Sequence, residues 1–211
     1  MGPIARRTLI AAAGVAALAL AACNGGKGGA GTDISQDMSI GSADAPVTVI
    51  EYASPTCPHC ATWNEEVFPE FKKKYVDTGK ARYVLREAMI HGAPDAAIFM
   101  LARCAGDERY FRVVDGAMRS LPELQATGDV RSWVFRIGQS MGMNDKQIDA
   151  CITDEKKLQA LQTRYDKQME EFKVTSTPTF IVNGKKMEQP APPTLAELSA
   201  VIDPLLAGKK K

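Results

Sequence analysis

Ser54-Pro55-Thr56-Cys57-Pro58-His59-Cys60-Ala61-Thr62-Trp63 holds two cysteines separated by a proline and a histidine. Such a pair can be a structural disulfide, two metal ligands or a reactive dithiol, and the flanking residues decide which. Upstream, Val47-Thr48-Val49-Ile50-Glu51-Tyr52-Ala53 is a β-branched, mostly apolar run with the character of a buried central strand. Downstream, the segment from Cys60 to Val76 carries Trp63, Val67, Phe68, Phe71 and Tyr75 at helical spacing. Pro58 suits the first turn of that helix, where a backbone N–H has no partner. Ala81-Arg82-Tyr83-Val84-Leu85-Arg86-Glu87 reads as a second strand, parallel to the first because a helix separates them. The cysteines therefore lie where a strand hands over to a helix, inside a βαβ unit.

From about Pro94 to Phe172 the sequence offers helices only, over roughly 95–105, 107–120, 129–142, 145–152 and 154–172, separated by glycine and turn residues. Strand character returns at Pro178–Val182 and Lys185–Met187, on either side of Asn183-Gly184, a strong hairpin signal. A proline-rich bend from Gln189 to Pro193 leads to a last helix near Leu195–Leu206. There is no internal repeat. The order is βαβ, a helical block, then ββα.

At 211 residues, 45% hydrophobic and 24% charged, the chain has the make-up of an ordinary soluble globular domain. Its formal charge is +1; without Arg6 and Arg7 the basic count falls from 26 to 24 against 25 acidic residues, a net −1. That balance offers no grip for nucleic acid. Residues 1–22 have the layout of an export signal: Arg6 and Arg7, an apolar run from Leu9 to Leu20, then small residues. The run is short for a membrane span and leads into polar, glycine-rich sequence. Leu20-Ala21-Ala22-Cys23 resembles the cleavage box of bacterial lipoproteins, which implies lipid on Cys23 and a membrane anchor. Ordinary cleavage beside the same alanines is the alternative. The Arg-Arg pair matches twin-arginine signals poorly. Residues 23–37 then read as a flexible tether, and about nine such residues reach roughly 15–18 Å. In an oxidising compartment the remaining cysteines should be paired.

Read as metal ligands, Cys57, Cys60, His59 and His91 are too few and too irregularly spaced for a closed zinc site, and no second Cys-X-X-Cys accompanies them. No metal or cofactor is expected, and His91 is taken as a loop residue beside the cysteines. Trp63, Phe68, Phe99, Phe111 and Trp133 read as core.

Four features together resemble the DsbA-type thiol–disulfide oxidoreductases of the thioredoxin superfamily, in the form seen in alphaproteobacteria: Cys57-Pro58-His59-Cys60, Glu51 six residues before Cys57, Thr177-Pro178-Thr179-Phe180, and the helical block between two halves. The resemblance covers about residues 38–207. It implies an α/β thioredoxin fold in two halves, 38–93 and 174–207, with an inserted all-helical domain at 94–173 and a short tail at 208–211. Cys57, at a helix N-terminus that favours negative charge, becomes the exposed attacking sulfur. Cys60, one turn inside, becomes the resolving thiol. His59 adds a donor and, when charged, a positive neighbour. A stabilised thiolate stabilises the reduced form, so the disulfide is poised to be given away. Pro178 is expected in the cis form, facing the cysteines and exposing backbone at Thr177 for a substrate strand. Glu51, costly to bury without a partner, is assigned to proton exchange with the resolving thiol; the alternatives are a solvated Glu51 or one paired with Arg82.

With Cys23 lipidated, Cys104 and Cys151 remain, each ending a helix of the insertion. Some relatives of alphaproteobacterial type carry a second disulfide there, which implies a Cys104–Cys151 bond; two buried free thiols are the alternative. Closing such a loop of about 48 residues stabilises a fold by roughly 4 kcal/mol in the chain-entropy picture.

The expected activity is the introduction of disulfides into exported, cysteine-containing proteins on the periplasmic side, with a DsbB-like, quinone-linked membrane oxidase restoring the Cys57–Cys60 bond. A monomer is expected, because the short stretch between Cys23 and the first central strand leaves no room for a dimerisation domain. Thr177 stands where the best-known oxidases of this type have valine and where isomerases and reductases often have threonine, so a monomeric isomerase or reductase is the nearest rival. A thioredoxin-like copper chaperone is the rival from another class.

Overall fold

The computed structural model describes residue 2, residues 33–188 and residues 191–208. Apart from Gly2, the expected export signal at 1–22 lies outside the described residues, as do the expected lipidation site Cys23, the expected tether up to residue 32 and, of the expected tail at 208–211, all but Gly208, which ends the last helix. Among the described residues, five strands form one mixed sheet in the order β1-β3-β2-β4-β5: β1 Met38–Ile40, β2 Val47–Ala53, β3 Ala81–Glu87, β4 Thr179–Val182 and β5 Lys185–Lys186. β2 and β3 run parallel, with Val49 beside Tyr83 and Glu51 beside Leu85. β4 lies antiparallel on the other side of β2 and sets Phe180 opposite Glu51. β2 is central in the sheet and meets a buried cluster on each face, Val47, Val49 and Ala53 in one and Tyr52 with Ile50 in the other, which explains its mostly apolar sequence. The β4–β5 turn is made by Asn183 and Gly184, both at positive φ (45° and 78°), as a tight hairpin of this kind requires.

The helical segments are α1 Pro58–Glu66, α2 Phe68–Phe71 with a π-helical turn at Lys72–Val76, α3 Ala93–Ala105, α4 Asp107–Arg119, α5 Leu121–Thr127, α6 Val130–Ser140, α7 Asp145–Ile152, α8 Glu155–Glu171 and α9 Leu195–Gly208. The single helix expected over 60–76 is interrupted. Val67 caps one segment and starts the next, and Pro69 just beyond it supplies no backbone donor to carry the ladder through. β1 and α5 were not legible as elements in the sequence. α7 opens with a reciprocal cap between Asn144 and Gln147.

One continuous core joins the sheet to the helices. Trp63 of α1 packs on Phe180 at 4.6 Å between ring centres, and Phe68 packs on Tyr83 at 4.9 Å. The Trp63 indole N–H donates to the carbonyl of Pro193 at 2.9 Å, so the bend before α9 is pinned to α1. In the helical block α6 and α7 meet closely at Gly138: a Cβ there would stand 2.6 Å from Cγ1 of Ile148. The sulfurs of Cys104, at the end of α3, and Cys151, in α7, are bonded to one another, with Cα atoms 5.9 Å apart.

The segment 33–37, read from the sequence as the end of a tether, belongs to the folded body. Arg103 donates to the carbonyls of Asp33 and Gln36 at 2.6 and 2.9 Å, and Arg164 donates to the carbonyl of Ser35 and the carboxylate of Asp37. Its glycine-poor composition separates it from the stretch before it. Among the described residues no helix is long and apolar enough to cross a membrane.

Candidate active site

β2 ends at Ala53 and the chain turns through Ser54–Cys57, closed by the Cys57 N–H on the Ser54 carbonyl at 3.2 Å. Cys57 is the N-cap residue of α1, in extended conformation, and Pro58 occupies the first helical position. This is the arrangement in which a helix presents unpaired N–H groups and the positive end of its dipole. Both cysteines are free thiols. Cys60 is fully buried. Cys57 is also buried, at 5% exposure, which corrects the expectation of an exposed attacking sulfur. The cover comes from the Thr177-Pro178 loop, distant in sequence, whose carbonyl at Thr177 accepts from the Cys57 thiol at 3.4 Å. Pro58 and His59 are the solvent-facing members of the motif.

The Thr177–Pro178 peptide bond is cis. Thr177 offers Cys57 more than its carbonyl, because its hydroxyl is buried and has no hydrogen-bond partner among the described residues. A carbonyl can only accept, so it suits the thiol; a hydroxyl can donate, so it suits the thiolate.

The two sulfurs are electrostatically unequal. The Cys57 thiol is pulled down to about 5, chiefly by the hydrogen bond from the Cys60 thiol; burial opposes this, and Thr177 and the N–H groups of Cys60 and His59 add to it. Cys60 is pushed well above the ordinary thiol range by burial, then by its bond to Cys57 and by the charge of Glu51. Glu51, 2% exposed on β2, is pushed up to about 8 by burial; the hydrogen bond from Tyr83 works against that rise and the charge on Cys57 adds to it.

The partner of Glu51 is therefore Tyr83, whose hydroxyl donates to Oε2 at 2.5 Å. Arg82, the alternative partner weighed from the sequence, reaches Ser39 instead, at 2.8 Å. Among the described residues, Oε1 of Glu51 is buried with no hydrogen-bond partner. A carboxyl group in this state holds a proton near neutral pH and sits close enough to both sulfurs to feel their charge. The site as a whole can therefore form a thiolate at Cys57, keep Cys60 protonated, and store a proton at Glu51.

Sequence reading missed Tyr83, and it missed a cluster in front of Cys57. Asp95, fully buried in the first turn of α3, accepts from the hydroxyls of Ser54 and Thr56 and from the N–H groups of Thr56 and His91. Tyr83 could have been found from its place on the strand next to Glu51. Asp95 carries no such signal, since a first-turn aspartate is ordinary in any helix. His91 does sit beside the motif, with Nδ1 2.9 Å from the Thr56 hydroxyl. Among the described residues no three His, Cys, Asp or Glu side chains gather as metal ligands.

A strand–helix junction with a Cys-X-X-Cys at the helix cap, a cis-proline opposite it and a helical block between two halves of the sheet defines the thioredoxin class with a helical insertion. The family profile described as thioredoxin matches residues 33–204, and the chain belongs to that family, as a DsbA-like member. A Rickettsia bellii protein with the provisional name protein-disulfide oxidoreductase is 34% identical over 175 residues, which are 82% of this chain and 66% of that protein. Across five Rickettsia relatives the chain spans between 53% and 66% of their length. The crystal structure of Wolbachia pipientis alpha-DsbA1 superposes with a TM-score of 0.74 at 26% identity, covering 84% of this chain and 94% of that one. A protein-disulfide isomerase from Novosphingobium aromaticivorans shares the fold, with a TM-score of 0.72 at 20% identity over 81% of this chain and 97% of its own.

Proposed function

We propose that the protein is a thiol–disulfide oxidoreductase that donates its Cys57–Cys60 disulfide to cysteine-containing proteins outside the cytoplasm. The observation that carries this reading is the unequal placement of the two sulfurs, Cys57 at the cap of α1 against the Thr177 carbonyl and Cys60 fully buried one turn inside, an inequality that draws Cys57 down to about 5 and drives Cys60 far up. In the first step a substrate thiolate attacks Sγ of Cys57 in the oxidised enzyme. The Cys57–Cys60 bond breaks, and Cys60 leaves with the electron pair and takes a proton, for which Glu51 is the nearby store. In the second step another substrate thiolate attacks the substrate sulfur of the mixed disulfide, and Cys57 departs as its stable thiolate. Two substrate thiols have become a disulfide, and the enzyme holds the two electrons as Cys57 thiolate and Cys60 thiol.

The same inequality supports the donor direction. A thiolate stabilised only in the reduced enzyme makes the disulfide the higher-energy form, and hence an oxidant. Thr177 and Pro178 line the place where a substrate backbone would lie beside Cys57. The export signal, lipidation at Cys23, residence in the periplasm, a monomeric state and reoxidation by a DsbB-like, quinone-linked membrane protein complete the proposal, and they rest on the sequence features and resemblance given above. A second reading, a reductase or isomerase that works from the dithiol, draws on Thr177 ahead of the cis-proline.

The reduction potential of the Cys57–Cys60 couple, measured against glutathione, separates the two. A donor of disulfides should fall toward the oxidising end of the superfamily, about −120 mV, whereas about −270 mV would make the enzyme a reductase.

A further inference from the structure

The buried cluster in front of the motif does more than fill space, and the argument rests on the thiol exchange proposed above. Asp95 is fully buried and belongs to α3, on the far side of β3 in sequence from the cysteines. Its Oδ1 accepts from Ser54 Oγ at 2.8 Å, from Thr56 Oγ1 at 2.6 Å and from the Thr56 N–H at 3.2 Å, and its Oδ2 accepts from the His91 N–H at 2.9 Å. Three of these four donors lie in the turn that delivers Cys57 to the cap of α1. A group that receives four donors and offers none is held as an acceptor only.

The hydrogens can be counted. Ser54 and Thr56 each have one hydroxyl hydrogen, and both are spent on Oδ1 of Asp95. Toward His91 those oxygens can then only accept. Nδ1 of His91 lies 2.9 Å from Thr56 Oγ1 and 3.3 Å from Ser54 Oγ, so it must carry a hydrogen. In the neutral ring Nε2 is then the basic nitrogen, on a side chain that is 46% exposed.

We propose that Asp95 is a positioning residue for the exchange reaction, acting on Cys57 through the Ser54–Thr56 turn and holding His91 with Nδ1 protonated and Nε2 free beside the site. The helix-cap N–H groups of His59 and Cys60 can serve Cys57 only if the preceding turn sets its sulfur against them, and Asp95 is what ties that turn to α3.

The test uses the full chain, its Asp95→Asn variant and its Ser54→Ala/Thr56→Val variant, each reduced, with thiolate absorbance followed against pH. Both variants should move the Cys57 titration upward by about one pH unit, and at pH 4 their exchange with an aromatic disulfide should slow about tenfold. Asn at 95 keeps an acceptor for the hydroxyls but sets an amide donor against the His91 N–H, while the double variant keeps the carboxylate and removes its donors. If Asp95 acted as a charge through space, Asp95→Asn would lower the titration and the double variant would leave it still; that result overturns positioning. Variants that only lower the unfolding midpoint, with the titration of Cys57 unmoved, overturn it too. Nitrogen-15 spectra of the parent should show the Nδ1–H form of His91, and the Nε2–H form would refute the hydrogen count. A parent that exchanges no disulfide at all would sink the proposed function, whereas the Cys57 titration judges Asp95 independently of that result.

Discussion

Glu51 and Cys57 pull the stability of this protein in opposite directions with pH, and each can be isolated by its redox state. The Glu51 carboxyl is at about 8 when folded and near 4.5 when unfolded, so its contribution is fully present below pH 4.5 and is lost as pH rises through 8. Taken over that whole window the loss amounts to about 4 kcal/mol, an order of magnitude set by desolvation. The Glu51→Gln variant should escape it. Urea unfolding of the oxidised parent and variant at pH 5 and pH 9 should show the parent losing stability and the variant holding level; parallel behaviour would mean that Glu51 ionises freely. Oxidised protein is the right choice because Cys57 does not titrate there, and the charge of Cys57 is the smallest cause of the Glu51 rise. In the reduced protein Cys57 works the other way. Its folded value of about 5 lies below the unfolded one, so its contribution is present above the unfolded thiol value and fades as pH falls through 5. Alkylation of reduced protein by iodoacetamide should therefore rise with an apparent midpoint near pH 5, and Cys57→Ser should abolish that phase while Cys60→Ala shifts it upward by removing the leading donor.

At the scale of elements, the Cys104–Cys151 bond clips α3 to α7 across 47 residues of chain. Replacing both with alanine should cost about 4 kcal/mol by the chain-entropy argument, read as a lower urea midpoint, and should leave the Cys57 titration in place, since neither sulfur lies on α1 or in the Thr177 loop. Gly138→Ala sets two effects against each other. Alanine gains about 1 kcal/mol of helix propensity, but its Cβ would stand 2.6 Å from Ile148 Cγ1, and overpacking costs about 1–3 kcal/mol. Net destabilisation is expected, again from the urea midpoint. The elements also show what a sequence can disclose. β2 was legible to the residue as a β-branched, mostly apolar run, and β3 because its Tyr83-Val84-Leu85 centre, flanked by charged residues, follows a helix after β2. The break at Val67 was hidden because Trp63, Phe68 and Phe71 keep helical spacing across it, although Pro69 stood in plain view. β1 is three residues long and α5 seven, too short for a period to emerge. The motif itself was local and readable. The burial of Cys57, the Tyr83 hydroxyl on Glu51 and the Asp95 cluster all depend on partners brought in from other elements, and no local pattern carries them.

At the scale of the whole molecule, sheet, helical block and N-terminal segment meet at one buried ion pair. Arg103 grips Glu87 through two bonds of 2.7 and 2.9 Å, both side chains almost fully buried, while Tyr110 donates to Glu87 at 2.9 Å and Arg103 also holds the carbonyls of Asp33 and Gln36. Removing Arg103 leaves the buried Glu87 with only the Tyr110 hydroxyl and the more distant Arg164, at 3.6 Å, in a medium that solvates it poorly. Arg103→Met should destabilise the protein by about 3–5 kcal/mol, and adding Glu87→Gln should recover part of that loss in urea unfolding. A segment at 33–37 cut loose from Arg103 should also become the first site of limited proteolysis. The sheet order has a further consequence, in time. β2 pairs on one side with β3, a near neighbour in sequence, and on the other with β4, where Val49 meets Val182. A chain emerging from the ribosome or a translocation pore presents Cys57 and Cys60 early and Thr177 120 residues later. Until that last stretch arrives and docks, Cys57 has neither its cover nor its oxygen partners. The nascent polypeptide thus carries its thiol pair in an unfinished setting until the segment that holds Thr177 has been delivered.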